Sequence, residues 1–183
     1  MLIELLIVLQ VLIGLAFITL TIFTGSLVLA LFSDAPFVVT NKSTLRGMLS
    51  QANIKPNDVI VDLGSGDGRL VLAAARQGRI ATGFELSRSL FLISQIRKLI
   101  SGTSNAHFKR QDFITADLTH VDVVLAYLTT PAIKKLRPKL EQELPAGARV
   151  VSHGVPIPGW TPANHLASET NKKLDDVWLY IKK

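Results

Sequence analysis

Hydrophobic positions along the chain fall into two regimes. From Leu5 to Phe32 the sequence LLIVLQVLIGLAFITLTIFTGSLVLALF carries no charge, relieved only by Gln10, a few hydroxyls and two glycines. A helix of that length runs about 42 Å against a bilayer core of about 30 Å, so it can span with tilt or overhang. Ser33 to Thr40 then reads as a short Pro-containing linker, and Asn41 or Ser43 can cap a helix to about Gln51, with Leu45, Met48 and Leu49 at helical spacing. Beyond it, β-branched runs alternate with amphipathic ones. The pattern predicts strands over Val59–Leu63, Ile80–Leu86, His107–Gln111, Val121–Leu128 and Arg149–Val155, and helices over Arg69–Gln77, Arg88–Ser101 and Pro131–Leu144. Such alternation implies an α/β fold with a mostly parallel, doubly wound sheet joined by right-handed crossovers. In the tail, PIPGWTP stands where a helix is due, and His165–Glu169 with Val177–Ile181 is expected to close as an antiparallel hairpin. The organisation expected is a transmembrane anchor and linker over 1–36 and one α/β domain over 37–183.

Charge sharpens the reading of the first segment. A cleaved signal peptide needs a basic start, whereas this chain begins with Glu4 as its first charge, its apolar run is long, and Pro36 follows the small-residue site. A retained single-pass anchor is therefore expected. Every Lys and Arg follows it, beginning with Lys42, Arg46 and Lys55, which by the positive-inside rule puts the body on the cytoplasmic side. The net charge is +6 over 183 residues, without a run of bases interleaved with aromatics, so nucleic-acid binding is not expected. The chain has no cysteine and four scattered histidines, which argues against a metal cluster.

The chemistry concentrates in VIVDLGSGDGRL, Val59 to Leu70. In a doubly wound sheet, ligands bind at the carboxyl ends of the strands beside the point where strand order reverses. Gly64, Gly66 and Gly68 then form a turn that lets a ligand approach the backbone. Their spacing is G-x-G-x-G, not the G-x-G-x-x-G of dinucleotide sites, and an acid inside the loop, Asp67, sits badly against a phosphate. S-adenosylmethionine, with an ammonium, a carboxylate and a sulfonium but no phosphate, suits such a loop. Glu85, at the end of the second strand, can accept both ribose hydroxyls. Asp112 and Phe113, just past the third, offer an acceptor and an apolar face for adenine. Each residue alone has an ordinary reading, as helix N-terminal acid, turn former or core residue; their order along successive strand ends does not.

These residues resemble the class I, Rossmann-like S-adenosylmethionine-dependent methyltransferases from about Asn41 to the C-terminus. More narrowly, PFVVT, VDLGSGDGRLVLAAARQG, ATGFEL, VVLAYLTTPAIKKLRPKLEQEL, GARVVS and PIPGWTP resemble the small membrane-anchored protein-lysine methyltransferases, whose mitochondrial members trimethylate lysine on the adenine nucleotide translocase or the ATP synthase c-subunit. The resemblance implies that Asp62, Gly64, Ser65, Gly66, Asp67 and Gly68 line the methionine end, that Glu85 holds the ribose and Asp112 the adenine. Two positions depart from the family: its Asn-Pro after the second-strand acid is Ser87-Arg88, and its Trp after the adenine-binding Asp is Ile114. The chain also has no basic N-terminal targeting extension, which favours a prokaryotic inner membrane.

For the acceptor, Tyr127 and Thr129 past the fourth strand and Trp160 in the proline-flanked tail are candidates to line an aromatic pocket, with His153 read as structural in preference to catalytic. The anchor favours a membrane protein's lysine, with a lipid or quinone as the enzyme alternative and a non-catalytic binding module as the other. Asp62, Asp67 and Glu85 are all present, which disfavours the last.

Overall fold

In the computed structural model, residues 2–31, 42–167 and 176–183 are described. They form α1 (Leu2–Leu31), α2 (Lys42–Ala52), β1 (Val59–Leu63), α3 (Arg69–Ala75), β2 (Ile80–Phe84), α4 (Arg88–Ser101), β3 (Ala106–Lys109), β4 (Val123–Ala126), α5 (Thr130–Glu143), β5 (Arg149–His153), β6 (Asn164–Leu166) and β7 (Val177–Ile181), with a 3-10 turn at Phe113–Thr115. The expected linker, the PFVVT motif, the cap at Asn41 and the last two residues of the expected strand His165–Glu169 lie outside the described residues.

One seven-stranded sheet has the order β3-β2-β1-β4-β5-β7-β6. Strands β1 to β5 are parallel. β7 runs antiparallel between β5 and β6, so the tail hairpin enters the sheet by its second strand. The order reverses between β1 and β4, which puts the switch point at the end of β1.

Several strands stop sooner than the hydrophobic runs, each for a local reason. At β2, Gly64 and Ser65 both donate to the Phe84 carbonyl, ending the ladder with Glu85 free to turn. At β4, Val121 closes a turn onto Leu118 and the Asp122 carboxylate accepts the Val59 amide, so pairing begins at Val123. At β5, the Ser152 hydroxyl donates to the Val155 carbonyl and bends the chain after His153.

Alternation along the strands splits the core into two faces. Val61, Leu63, Val124, Ala126, Val150 and Tyr180 pack with Ile133, Leu136 and Leu140 of α5. On the other face Ile60, Val123, Leu125 and Val151 pack with Met48 and Leu49 of α2 and Leu70, Val71 and Ala74 of α3. Neither cluster includes a described side chain of α1. Within α1, residues Ile3–Gly25 have a mean hydropathy of 2.7 and none is buried, so the helix is long and apolar enough to cross a membrane.

At the amino end of the sheet, Arg149 pairs with Asp58 at 2.6 Å, both side chains nearly buried, and donates to the Ala52 and Asn53 carbonyls at the end of α2. This pair ties α2, β1 and β5 together. Removing one partner of a buried pair leaves an uncompensated charge and costs about 3–5 kcal/mol. Asp58→Ala is expected to lower the unfolding midpoint in urea accordingly, whereas Lys134→Ala on the exposed side of α5 is expected to leave it unchanged.

Candidate active site

The glycine turn is built by close approach. Gly64, Gly66 and Gly68 have φ of 81°, 56° and 80°, the left-handed region that other residues enter at a cost. A Cβ on Gly68 would stand 2.6 Å from the Phe108 ring, and one on Gly83 in β2 would stand 2.6 Å from the Ser65 hydroxyl. The turn therefore lies flat on β2 and β3. Its amides are spent there: Gly64 and Ser65 donate to Phe84, Gly66 donates to Glu85 Oε2 at 2.8 Å, and Gly68 donates to Ser65. No fan of free amides is left for a phosphate from these positions. α3 itself is only seven residues long, and its first amide, that of Arg69, leans on Asp67 Oδ1 at 3.4 Å.

Three carboxylates converge on this turn. Asp62 is buried at the end of β1, and burial, followed by the nearby Glu85 and Asp67, pushes its carboxyl up to about 8. Glu85 is also raised, by burial first, against amide hydrogen bonds from Ser87, Gly66 and Leu86. Its two oxygens accept Ser87 N and Gly66 N, both at 2.8 Å, and the Leu86 amide adds a third bond, so one side chain bridges the turn and the start of α4 and has about one of its four lone-pair positions left for a further donor. Asp67 is engaged within the protein. Its carboxylate pairs with Arg69 at 2.6 Å and Arg97 at 3.2 Å, clamping the turn to α3 and α4. The uncompensated acidity therefore rests on Asp62 and Glu85. Ser65 likewise packs its buried hydroxyl over Gly83, inside the turn.

Glu85 N donates to Lys109 O and Gln111 N donates to Glu85 O, which sets the segment after β3 beside Glu85. There Asp112 Oδ1 accepts Ile114 N at 2.9 Å, starting the 3-10 turn, and Phe113 and Ile114 lie half-buried against the core. Asp62, Glu85, Asp112 and Phe113 thus line up along the ends of β1, β2 and β3. This order fits S-adenosylmethionine: acids for its cationic end, a carboxylate for the ribose, an apolar wall and an acceptor for adenine.

The acceptor candidates separate. Tyr127, past the end of β4, stacks edge-on against His153 at the end of β5, ring centroids 4.3 Å apart. Thr129 is the residue before α5, and its carbonyl accepts Ile133 N. Trp160 is elsewhere. Its indole Nε1 donates to Glu141 in the last turns of α5, and its ring meets Tyr180 edge-on at 6.0 Å. Tyr180 pairs with Val150, which pairs with Val124. Trp160 is therefore level with Val124, about 10 Å short of Tyr127 along the strands at roughly 3.3 Å per residue. It also packs on the α5 face, while His153 follows Val151 on the α2 face. The structure brings Tyr127 and Thr129 to the carboxyl edge and leaves Trp160 as packing. Sequence reasoning missed Gly83, whose signal is a glycine inside a strand, where close backbone approach is the usual cause, and the Arg69–Asp67–Arg97 clamp.

Sheet order and site define a class I S-adenosylmethionine-dependent methyltransferase. A solved RNA methyltransferase from Salinibacter ruber, in complex with S-adenosyl-L-homocysteine, superposes with a TM-score of 0.73 at 32% identity, over 79% of this chain and 93% of that one. Residues 62–164 match the ANTKMT methyltransferase domain, and the chain belongs to that family. It is 35% identical to a protein-lysine N-methyltransferase of Saccharolobus islandicus over 80% of this chain and 92% of that protein. It is 36% identical to the mouse adenine nucleotide translocase lysine N-methyltransferase, spanning 63% of that protein's length.

Asp62 carries a pH signature. Its folded value lies above the ordinary 3.8, so the stability it contributes is fully present below about 4 and is lost as pH rises towards about 8. A cation bound beside it favours the ionised form, so cofactor binding at neutral pH is expected to release a proton. Calorimetry in buffers of different ionisation enthalpy should show S-adenosylmethionine binding more tightly at about pH 8.5 than at about pH 6.5, with Asp62→Asn abolishing both the slope and the proton release.

Proposed function

We propose that the chain is a membrane-anchored protein-lysine N-methyltransferase whose acceptor is a lysine exposed on a membrane protein. The observation that carries this reading is the near full-length match to the archaeal protein-lysine N-methyltransferase; the translocase lysine N-methyltransferase relative points to a membrane-embedded acceptor. The apolar α1, tethering the catalytic domain within a short linker of the bilayer, raises its effective concentration towards such partners. The basic residues after α1 favour the cytoplasmic side.

S-adenosylmethionine supplies a methyl group on its sulfonium for in-line displacement by the acceptor amine. The residues of this chain bind, orient and dry the site. Glu85 holds the ribose, Asp112 and Phe113 the adenine, and Asp62 answers the cationic methionine end. A lysine at pH 7 holds its proton by about 4.6 kcal/mol relative to its value near 10.4. Tyr127 and Thr129, at the edge where β4 ends, face that amine with a half-buried aromatic wall that disfavours the ammonium by desolvation. No protein nucleophile is needed; the rate comes from holding amine and methyl in line.

Membranes incubated with methyl-labelled S-adenosylmethionine are expected to carry label on protein, at lysine by mass spectrometry. Label that is lost to ribonuclease would favour the activity named for the Salinibacter neighbour, and label extracted into organic solvent would favour a lipid or quinone acceptor; either overturns the lysine reading. Within the pocket, Tyr127→Ala is expected to lower kcat about 10- to 100-fold with cofactor affinity retained, while Trp160→Phe, which removes the bond to Glu141 and trims the packing on Tyr180, leaves turnover within about twofold.

A further inference from the structure

α4 presents apolar side chains in the wrong direction for a solvated helix. Leu90 and Ser94 face inward. On the opposite side Leu92, Ile96, Leu99 and Ile100, spaced i, i+4, i+7 and i+8, are 59%, 58%, 83% and 80% exposed, and Leu86 just before the helix is 58% exposed. An exposed helix face is ordinarily polar, and a contiguous apolar stripe marks a surface that something covers.

Three observations identify the covering. α1, the helix apolar enough to span a bilayer, comes up against α4, so a membrane crossed by α1 brings its surface to that helix. From Leu86 to Gln111 the sequence has no acid and five bases, Arg88, Arg97, Lys98, Lys109 and Arg110, of which Arg97 is engaged by Asp67 and the other four remain to set the local field. That positive field is felt locally: His107 on β3 is lowered, by burial first and then by the charges of Lys98 and Lys109. A face with an apolar stripe and a basic surround is the pattern of a helix lying in the interface of an anionic leaflet.

We infer that α4 is a second membrane contact, lying in the headgroup region of an anionic bilayer with Leu92, Ile96, Leu99 and Ile100 inserted. The geometry rests on α1 being an anchor, but the contact is a separate one. Its consequence follows from Glu85: the first amide before α4, Ser87 N, is held by Glu85 Oε1, so a helix fixed on the bilayer fixes the ribose end of the site at a set height above it. The acceptor amine is then reached at the membrane surface, not far from it.

The chain has no cysteine, so single labels report cleanly. Full-length protein in nanodiscs of phosphatidylcholine and phosphatidylglycerol carries an environment-sensitive fluorophore at Leu99→Cys, at Ile13→Cys within α1, or at Lys134→Cys on the opposite side of the domain. Leu99 is expected to show blue-shifted emission and at least twofold quenching by shallow doxyl lipids, with Lys134 showing neither. A blue shift at Leu99 without lipid quenching means that protein covers the stripe and overturns the proposal. So does an unquenched, unshifted Leu99 beside a quenched Ile13, which leaves the anchor intact; an unquenched Ile13 beside a quenched Leu99 removes the anchor and keeps the α4 contact. Replacing Ile96 and Leu99 with Glu in the Lys134-labelled chain controls for folding, since both lie outside the core, and the same pair of substitutions is expected to abolish quenching at a label placed at Leu92→Cys.

Discussion

The close approach of the β1–α3 turn to β2 is the constraint on which the site depends. Two amides, from Gly64 and Ser65, converge on the one carbonyl of Phe84, and this is possible only because Gly83 leaves space for Ser65 and Gly68 leaves space for Phe108. Once the turn is pressed flat, Gly66 N can reach Glu85, and the end of β2 becomes part of the turn. The resulting surface has its amides directed into the protein and its acids around the rim. A phosphate ligand wants the reverse arrangement, free amides and no neighbouring acid. The chemistry of the donor thus follows from a packing fact.

Electrostatics then divides the three acids by task. Asp67 is compensated by two arginines and holds α3 and α4 together. Asp62 has no such compensation in its shift, and burial keeps it protonated up to about 8. Glu85 sits between, its ionised form supported by amides that also lock the turn. A fold with this arrangement stores unfavourable acidity that a cation beside it would relieve. Such like-charge crowding is tolerable because protonation relieves it until the ligand does.

Much of this was legible in the sequence, and the reasons are physical. Buried strands announce themselves as β-branched runs, and their carboxyl ends carry Asp62, Glu85 and Asp112 in order, so topology alone aligned these three acids. The glycine spacing argued against a phosphate site before any geometry, whereas the acid within it, Asp67, turns out to be paired with two arginines. Trp160 lies apart from Tyr127, a separation the sequence does not show because nothing local fixes the tail. The tail is positioned by Ile157 N donating to Tyr180, a residue beyond the next hairpin turn, and by Glu141 on a helix nearly twenty positions earlier. The partners of Asp67 were missed for a similar reason: Arg97 reaches it across thirty positions of chain by way of a helix packing that periodicity does not specify. The insertion of β7 between β5 and β6 belongs to the same class, since a hairpin pattern gives pairing but not which strand enters first.

The acceptor side is less determined than the donor side because it is assembled differently. Asp62, Glu85 and Asp112 descend from one turn and two neighbouring strand ends, held by main-chain bonds that leave little freedom. Tyr127 and His153, in contrast, meet through edge-on ring packing at the ends of β4 and β5, on the face that α2 covers. A site fixed in this way can keep its donor geometry while its acceptor wall varies, which is consistent with relatives named for an adenine nucleotide translocase lysine and for RNA sharing this fold. Selection among acceptors then falls to whatever restricts approach to Tyr127. In a chain whose α1 has an uncharged apolar run long enough to cross a membrane and whose α4 turns Leu92, Ile96 and Leu99 outward, a bilayer at those helices would impose that restriction.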